Sequence, residues 1–443
     1  MSYNGNNLMA ATKGMAIMYI DMNSFFASCE QQLQPHLRDI PIGVCPFENA
    51  TAVIIAPSKE AKRFGVKTGM RFHDAKNICP EIKMVAARPV YYRQIHVKIM
   101  NILRAYCEDT IPKSIDEAVL NLTAYQYLYK DFHALAIKIK KDIYHQVGPY
   151  ITCSIGISQN VFLAKLATEI QKPDGLIEIT PDNIEKYLLR LKLTDLPGIA
   201  LANEKRLNRA GIYHPIDMLN ASESLLRKAF GGVTGNYWYY RLHFAEVDLY
   251  TSAYKRMSAM RTLSAKTRVS KKSLLGMLIS LCTRLEQRMV KSEIFCREIY
   301  FCAYYYDDTE WKTSIKIQEP LQDGIDMLHY IQKRIAAYEA QSAPAHVLSK
   351  NMRSMCVIVG NFIAAKYLQY SLFDNKIQKD MLRKTVYTIK DKYGKNIVRK
   401  ASETIEDGHL RDAIGFGSVK DLYDNTQPGV YQTGYNKYLL EEG

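Results

Sequence analysis

Apolar and polar positions alternate in a way that divides the chain into strands and helices. The apolar run Ala16-Ile17-Met18-Tyr19-Ile20 stops at Asp21, and Asn23 or Ser24 can then cap a short helix carrying Phe25, Phe26 and Cys29. Ala52 to Ala56 predicts a second strand, and Ser58 to Lys67 begins as a capped basic helix that stops at Gly65. Ile95, Ile99, Ile102 and Leu103 recur at helical spacing between Val90 and Glu108. Lys113 to Asn121 reads as a strand, Ala124 to Val147 as an amphipathic helix, Ile151 to Ile157 as a strand, and Asn160 to Gln171 as a helix. Such alternation, with antiparallel pairing, predicts an α+β fold.

Organisation loosens around Tyr250 to Tyr254. From Lys255 to Lys272 there are seven basic residues and no acid, which reads as a linker entering a basic domain. A helix near Ser273 to Val290, strands at Glu298 to Tyr306 and Trp311 to Ile317, and a helix from Ile325 to Tyr338 predict a compact α+β unit, followed by strand-like Met355 to Val359. The successive tyrosines 304–306 read as strand formers before they read as a base-stacking platform.

A chain of 443 residues is expected to form two to four domains. The formal net charge of +14 points to a polyanionic partner, with nucleic acid preferred over a membrane surface. No apolar stretch approaches a membrane span and the first thirteen residues are polar, so a cytosolic location is expected. Nine scattered cysteines without a C-x-x-C pair support neither a disulfide framework nor a zinc site.

Candidate chemistry concentrates at Asp116 and Glu117, two adjacent acids inside the apolar strand Lys113 to Asn121. Clustered carboxylates at a sheet edge are most simply compensated by a hard divalent cation such as Mg²⁺, and Asp21 offers a third ligand. Lys165, near a helix start, reads as a surface lysine or a phosphate contact. Leu196-Pro197-Gly198-Ile199, then Lys205-Arg206-Leu207 and Ala210-Gly211-Ile212, has the form of a helix-hairpin-helix, whose glycine turn offers backbone N–H groups to a phosphate. Gln369-Tyr370-Ser371-Leu372-Phe373 is a short apolar peptide suited to a groove on another protein.

Together these segments resemble the Y-family translesion DNA polymerases, and the bacterial UmuC-type branch in particular. The resemblance rests on MYIDMNSFFAS at 18–28, KEAKRFGVKTGM at 59–70, SIDEA at 114–118, CSIGISQNVFLAK at 153–165, KPDG at 172–175 and LPGI at 196–199. It covers about the first half of the chain, and the second half matches more loosely through its basic α+β unit and the QYSLF peptide.

The resemblance implies a right-hand polymerase: a palm from 15–24 and 89–175, small fingers at 25–88, a helical thumb at 176–250, a little finger at 255–362, and a tail at 363–443 bearing a sliding-clamp peptide. It implies that Asp21, Asp116 and Glu117, with the Met22 carbonyl, bind two Mg²⁺ ions, and that Phe26 is the steric gate against a ribose 2′-hydroxyl. Lys59, Lys62 and Lys165 would face the triphosphate of a deoxynucleotide. Gly198, Ile199, Lys255, Arg256, Arg261, Lys266 and Arg268 would contact primer–template DNA, and Gln369, Leu372 and Phe373 would bind the clamp. An accessory activator protein is a further implied partner. Three departures stand out: Lys59 and Lys62 replace the usual Tyr and Arg, Asn23 replaces a common second acid, and Ala200 replaces the second hairpin glycine. Two other readings compete. A diguanylate-type cyclase would leave the thumb hairpin and the basic second half unexplained, and its G-G-[DE]-E-F signature is absent. A non-catalytic clamp-riding DNA-binding factor would have no use for three acids that repel phosphate.

Overall fold

The computed structural model describes residues 14–49, 51–249, 255–341, 346–370, 375–393 and 397–398. They fall into two compact units, one before and one after residue 252.

The strands of the first unit are, in chain order, β1 (Ile17–Met22), β2 (Ile42–Cys45), β3 (Ala56–Pro57), β4 (Lys83–Ala86), β5 (Thr110–Pro112), β6 (Glu117–Asn121), β7 (Cys153–Ser158) and β8 (Leu176–Glu178). Five of them form a sheet in the order β5-β6-β1-β7-β8. The central strand β1 pairs antiparallel with both β6 and β7, and every one of its residues is buried. Asp21 lies opposite Glu117 in β6 and Ser154 in β7, so register alone brings two of the acids together. A smaller sheet, β3-β2-β4, covers a core that includes Ile54, Ala61, Val66 and Ile82.

Helix Val161–Ile170 packs between the large sheet and a helical region. Phe162, Leu163 and Leu166 join Leu196, Ile199, Leu207, Leu226 and Trp238 in one apolar cluster. This close approach needs a glycine: a Cβ at Gly156 in β7 would come within 2.0 Å of the Ala164 carbonyl oxygen.

Strands β9 (Arg256–Thr262), β10 (Ile294–Tyr305), β11 (Glu310–Leu321) and β12 (Met352–Ala364) form the sheet of the second unit, in the order β11-β10-β12-β9. Helices Lys271–Lys291 and Gly324–Gln341 contribute to the core of this unit. Helix Lys376–Tyr393 docks on the same unit through Arg383, which pairs with Asp323 at 3.3 Å and lies beside the fully buried Glu286.

Several expectations need correction. Residues 255–272 are not simply a linker, because β9 pairs with β12; its buried Met257 and Ala259 alternate with exposed Arg256, Ser258 and Met260. The expected strand at 52–56 shrinks to an isolated bridge at Val53 and the two residues of β3. There Ile54 bonds to Met70 and Ile55 to Val44, so no single partner strand supplies a ladder. The helix expected from Ala124 starts at Phe132, where the Asp131 carboxylate accepts from the His133 and Ala134 N–H groups. Leu176–Glu178, expected to open the helical region, is instead β8 and pairs parallel with β7.

Gly156→Ala is expected to lower unfolding free energy by about 2–3 kcal/mol or to prevent folding, because the clash is with backbone that cannot yield. Urea denaturation of the purified variant measures this.

Candidate active site

The strand expected over Lys113–Asn121 begins only at Glu117, and residues 113–116 form a turn. The N–H groups of Lys113 and Ser114 both donate to the Glu117 carbonyl, at 2.9 and 3.3 Å. Three outside contacts fix the turn. Met22 N–H donates to the Asp116 carbonyl at 2.9 Å, and the Lys113 ammonium donates to the carbonyls of Asp248 and Leu249 at 2.7 and 2.8 Å. His96, 2% exposed, donates from Nδ1 to the Ile115 carbonyl at 2.6 Å; burial pushes its pKa down to about 4, so it works as a neutral ring.

Asp21, Asp116, Glu117, Phe26, Lys59, Lys62 and Lys165 all line one cavity of about 750 Å³, together with Met22, Arg63, Glu169 and Lys172. Lys165 stands among the acids: its Nζ lies 2.8 Å from Glu117 Oε1 and 2.8 Å from Glu169 Oε1, and donates to Asp21. Burial opposes the charge on Lys165, but Asp21, Glu117 and Glu169 together hold its ammonium well above the usual lysine range. Lys172 Nζ adds contacts to Asp21 at 3.0 Å and Glu169 at 2.8 Å. Desolvation raises the Glu169 carboxyl, but Lys165 and Lys172 outweigh it and the pKa is lowered. Tyr19 donates its hydroxyl to Glu117 Oε2 at 3.1 Å, and burial, reinforced by Glu117, keeps that phenol protonated. Asp116 is pushed up to about 6, first by desolvation; Ser114 donates a hydroxyl that opposes the rise, while Glu117 and Asp21 add to it.

Hard oxygen donors of this kind suit a divalent cation. Among the described residues, however, no three His, Cys, Asp or Glu side chains are grouped to hold an ion as placed. By the chemistry of their oxygens Asp21, Asp116 and Glu117 suit such an ion, and Lys165 stands against two of the three.

Phe26 is 7% exposed and stacks on Tyr92 with ring centroids 4.6 Å apart. The Tyr92 hydroxyl donates to the fully buried Glu30 at 2.7 Å, and Arg88 pairs with Glu30 at 3.1 Å. Sequence reasoning missed this support, as it missed Lys172 and Glu169, although Glu169 lies four residues after Lys165 on one helical face and Lys172 follows in the next loop. Asn23, read only as a lost acid, has a structural task. Its amide donates to Ser154 Oγ at 3.0 Å while its carbonyl oxygen accepts from the Asp174 N–H at 2.8 Å, which holds the loop presenting Lys172.

The remaining predicted residues lie elsewhere. Gly198 has a φ of 97°, which glycine tolerates, and lines a second cavity of about 700 Å³ with Ile199, whose side chain is in the apolar core. Lys255, Arg256 and Lys266 are exposed, and Arg256 covers the Tyr300 ring at 4.6 Å. Arg261 is on the opposite face of β9 from Arg256, and Arg268 covers Tyr306 at 4.7 Å, so the five basic residues do not form one face. Gln369 is exposed, whereas Leu372 and Phe373 lie outside the described residues.

The raised Asp116 pKa carries a stability consequence. Because the folded value exceeds the unfolded one, the folded state binds more protons between about pH 4 and 6; the stabilising contribution is present below about 4 and lost as pH rises through about 6. Asp116→Asn is therefore expected to be more stable than the wild type by about 1–3 kcal/mol at pH 7.5 in chelator, with the difference shrinking toward pH 4.5. Paired urea titrations at the two pH values measure it.

The model described as the impB/mucB/samB family matches residues 20–169, and that of the impB/mucB/samB family C-terminal domain matches residues 254–372. DNA polymerase IV of Gluconobacter oxydans is 37% identical over 222 residues, 50% of this chain and 62% of that protein. DNA polymerase IV of Staphylococcus aureus is 36% identical over 217 residues, 48% of this chain and 60% of that protein. The chain thus spans less than two thirds of the length of these two relatives. DNA polymerase IV of Desulfotalea psychrophila is 25% identical over 348 residues, 77% of this chain and 90% of that protein. A solved chimera of the Y-family DNA polymerases Dbh and Dpo4 superposes with a TM-score of 0.66 at 24% identity, covering 79% of this chain and 100% of its own. An insertion ternary complex of Dbh DNA polymerase gives 0.54 at the same identity and coverage. At that identity the likeness speaks for the fold. Both family models fall in order on one chain, and the first contains Asp21, Asp116, Glu117 and Lys165, so the protein belongs to the impB/mucB/samB family and has the fold of a Y-family DNA polymerase.

Proposed function

We propose that the protein is a template-directed DNA polymerase of low fidelity that inserts deoxynucleotides opposite damaged bases, in the manner of the UmuC-type branch. The observation that carries this reading is the single cavity that joins Asp21, Asp116 and Glu117 to Phe26 and a set of cationic side chains. Asp21, Asp116 and Glu117, with the Met22 carbonyl, would hold two Mg²⁺ ions, which supply activation of the primer 3′-hydroxyl and neutralisation of the leaving pyrophosphate.

The chain's own residues account for the rest. Lys59, Lys62, Lys165, Arg63 and Lys172 give the cavity the positive charge that a triphosphate needs, although Lys59 and Lys62 lack the bidentate fork of arginine. Phe26, held on Tyr92, forms a wall that excludes a ribose 2′-hydroxyl. The fingers at 25–88 are small, which leaves little geometric checking of the base pair. Gly198 and Ile199 would offer backbone groups to the template–primer phosphates. Arg256, Lys312 and Lys316 are exposed and alternate with buried residues along β9 and with half-buried or buried ones along β11, so the outer face of that sheet favours duplex DNA. Palm, thumb, little finger and tail keep the ranges given above, with the palm extended to include β8. A sliding clamp docking on Gln369, Leu372 and Phe373, an accessory activator, and a cytoplasmic location complete the proposal. Among the described residues no helix is long and apolar enough to cross a membrane.

Purified protein with Mg²⁺, a primed template and deoxynucleotides is expected to extend the primer, on abasic as well as undamaged templates and more so with clamp. Asp116→Asn should lose at least about a thousandfold in rate. No extension by the wild type under any of these conditions, with DNA binding intact, would overturn the reading. Phe26→Ala should raise ribonucleotide incorporation relative to deoxynucleotide by on the order of tenfold or more, measured as the ratio of kcat/KM values.

A further inference from the structure

Four carboxylates, those of Asp21, Asp116, Glu117 and Glu169, share the cavity, and two lysines bind three of them. Lys165 touches Asp21 and Glu117, two of the acids assigned above to metal, and at the same time Glu169, which has no such assignment. An ammonium on Asp21 Oδ2 and Glu117 Oε1 repels a divalent cation brought to the same carboxylates, so the two compete for them. We propose that Lys165 is an internal counter-ion that competes with divalent metal for Asp21 and Glu117, and that Glu169 is the carboxylate to which it retreats when metal binds.

The geometry supports this exchange in three ways. Glu169 stands four residues after Lys165 on the same helix, so a side-chain rotation keeps one of the existing ion pairs without moving the backbone. Gly156 fixes that helix against β7, and Glu246 fixes its start by accepting the Val161 N–H at 2.7 Å, so the reach of Lys165 is set by the fold. Lys172 pairs with the same Glu169 oxygen at 2.8 Å and with Asp21 at 3.0 Å, which leaves Asp21 partly compensated during the exchange. Lys165 is thus a positioning residue for the metal site as well as a candidate phosphate contact. The inference rests on the polymerase reading for the identity of the metal ligands.

The test uses the full chain with Mg²⁺ alone, followed by calorimetric titration and by thermal melting in chelator and in Mg²⁺. Without DNA or nucleotide present, the result is independent of whether primers are extended. Lys165→Met should bind Mg²⁺ about tenfold more tightly than wild type, melt lower in chelator, and gain more from added Mg²⁺. Glu169→Gln should shift the other way, binding Mg²⁺ several-fold more weakly, because Lys165 then has only the metal ligands to hold. Opposite shifts in the two variants support the exchange. Unchanged or weaker Mg²⁺ binding in Lys165→Met would overturn it, as a merely structural lysine would lower the melting temperature without tightening metal. If Lys165→Met does not fold, unchanged or tighter binding in Glu169→Gln overturns it equally. Absence of Mg²⁺ binding in all three proteins would also overturn it, while primer extension still judges the polymerase reading separately.

Discussion

Carboxylates gathered in one partly buried cavity repel one another, and the first unit is arranged around compensating that repulsion. Strand register puts Asp21 opposite Glu117, and the turn before β6 sets Asp116 beside them. Each acid alone would be better solvated at the surface. Positive charge must therefore come from inside the protein, and it comes from Lys165 and Lys172, carried by helix Val161–Ile170 and the loop that follows it. This helix can deliver its lysine only because Gly156 lets it lie directly on β7. Sheet register, one glycine and one helix thus decide whether the site exists.

The same physics explains what the sequence made legible. Acids that interrupt an apolar run are costly and so conspicuous, which is why Asp21, Asp116 and Glu117 stand out without any structure. Lys165 was visible as a residue but not in its pairing, since its partner Asp21 is 144 positions away. Tyr92 likewise supports Phe26 from another segment, and no local periodicity records a contact between distant segments. Strand β9 was hidden differently: its two arginines, within a longer basic stretch, suggested a solvated linker, and only pairing with β12 reveals that Met257 and Ala259 alternate inward. Asn23 was legible only as a missing acid, because its task depends on Ser154 and Asp174 arriving from elsewhere in the chain.

Membership of the impB/mucB/samB family and the Y-family fold place this chemistry in context. The departures at Lys59 and Lys62 then gain interest. The cavity keeps two lysines among its acids and carries Lys59 and Lys62, point charges without a bidentate fork, beside Arg63.

The measurement that bears most directly on this account is the anomalous scattering of Mn²⁺ in crystals of the protein with primed template and an unreactive deoxynucleotide. Two manganese peaks are expected, ligated by Asp21, Asp116 and Glu117, with Lys165 drawn back to Glu169. Manganese bound elsewhere, or a single ion that leaves Asp116 and Glu117 uncoordinated, would contradict the assignment of this cavity as the nucleotidyl-transfer site.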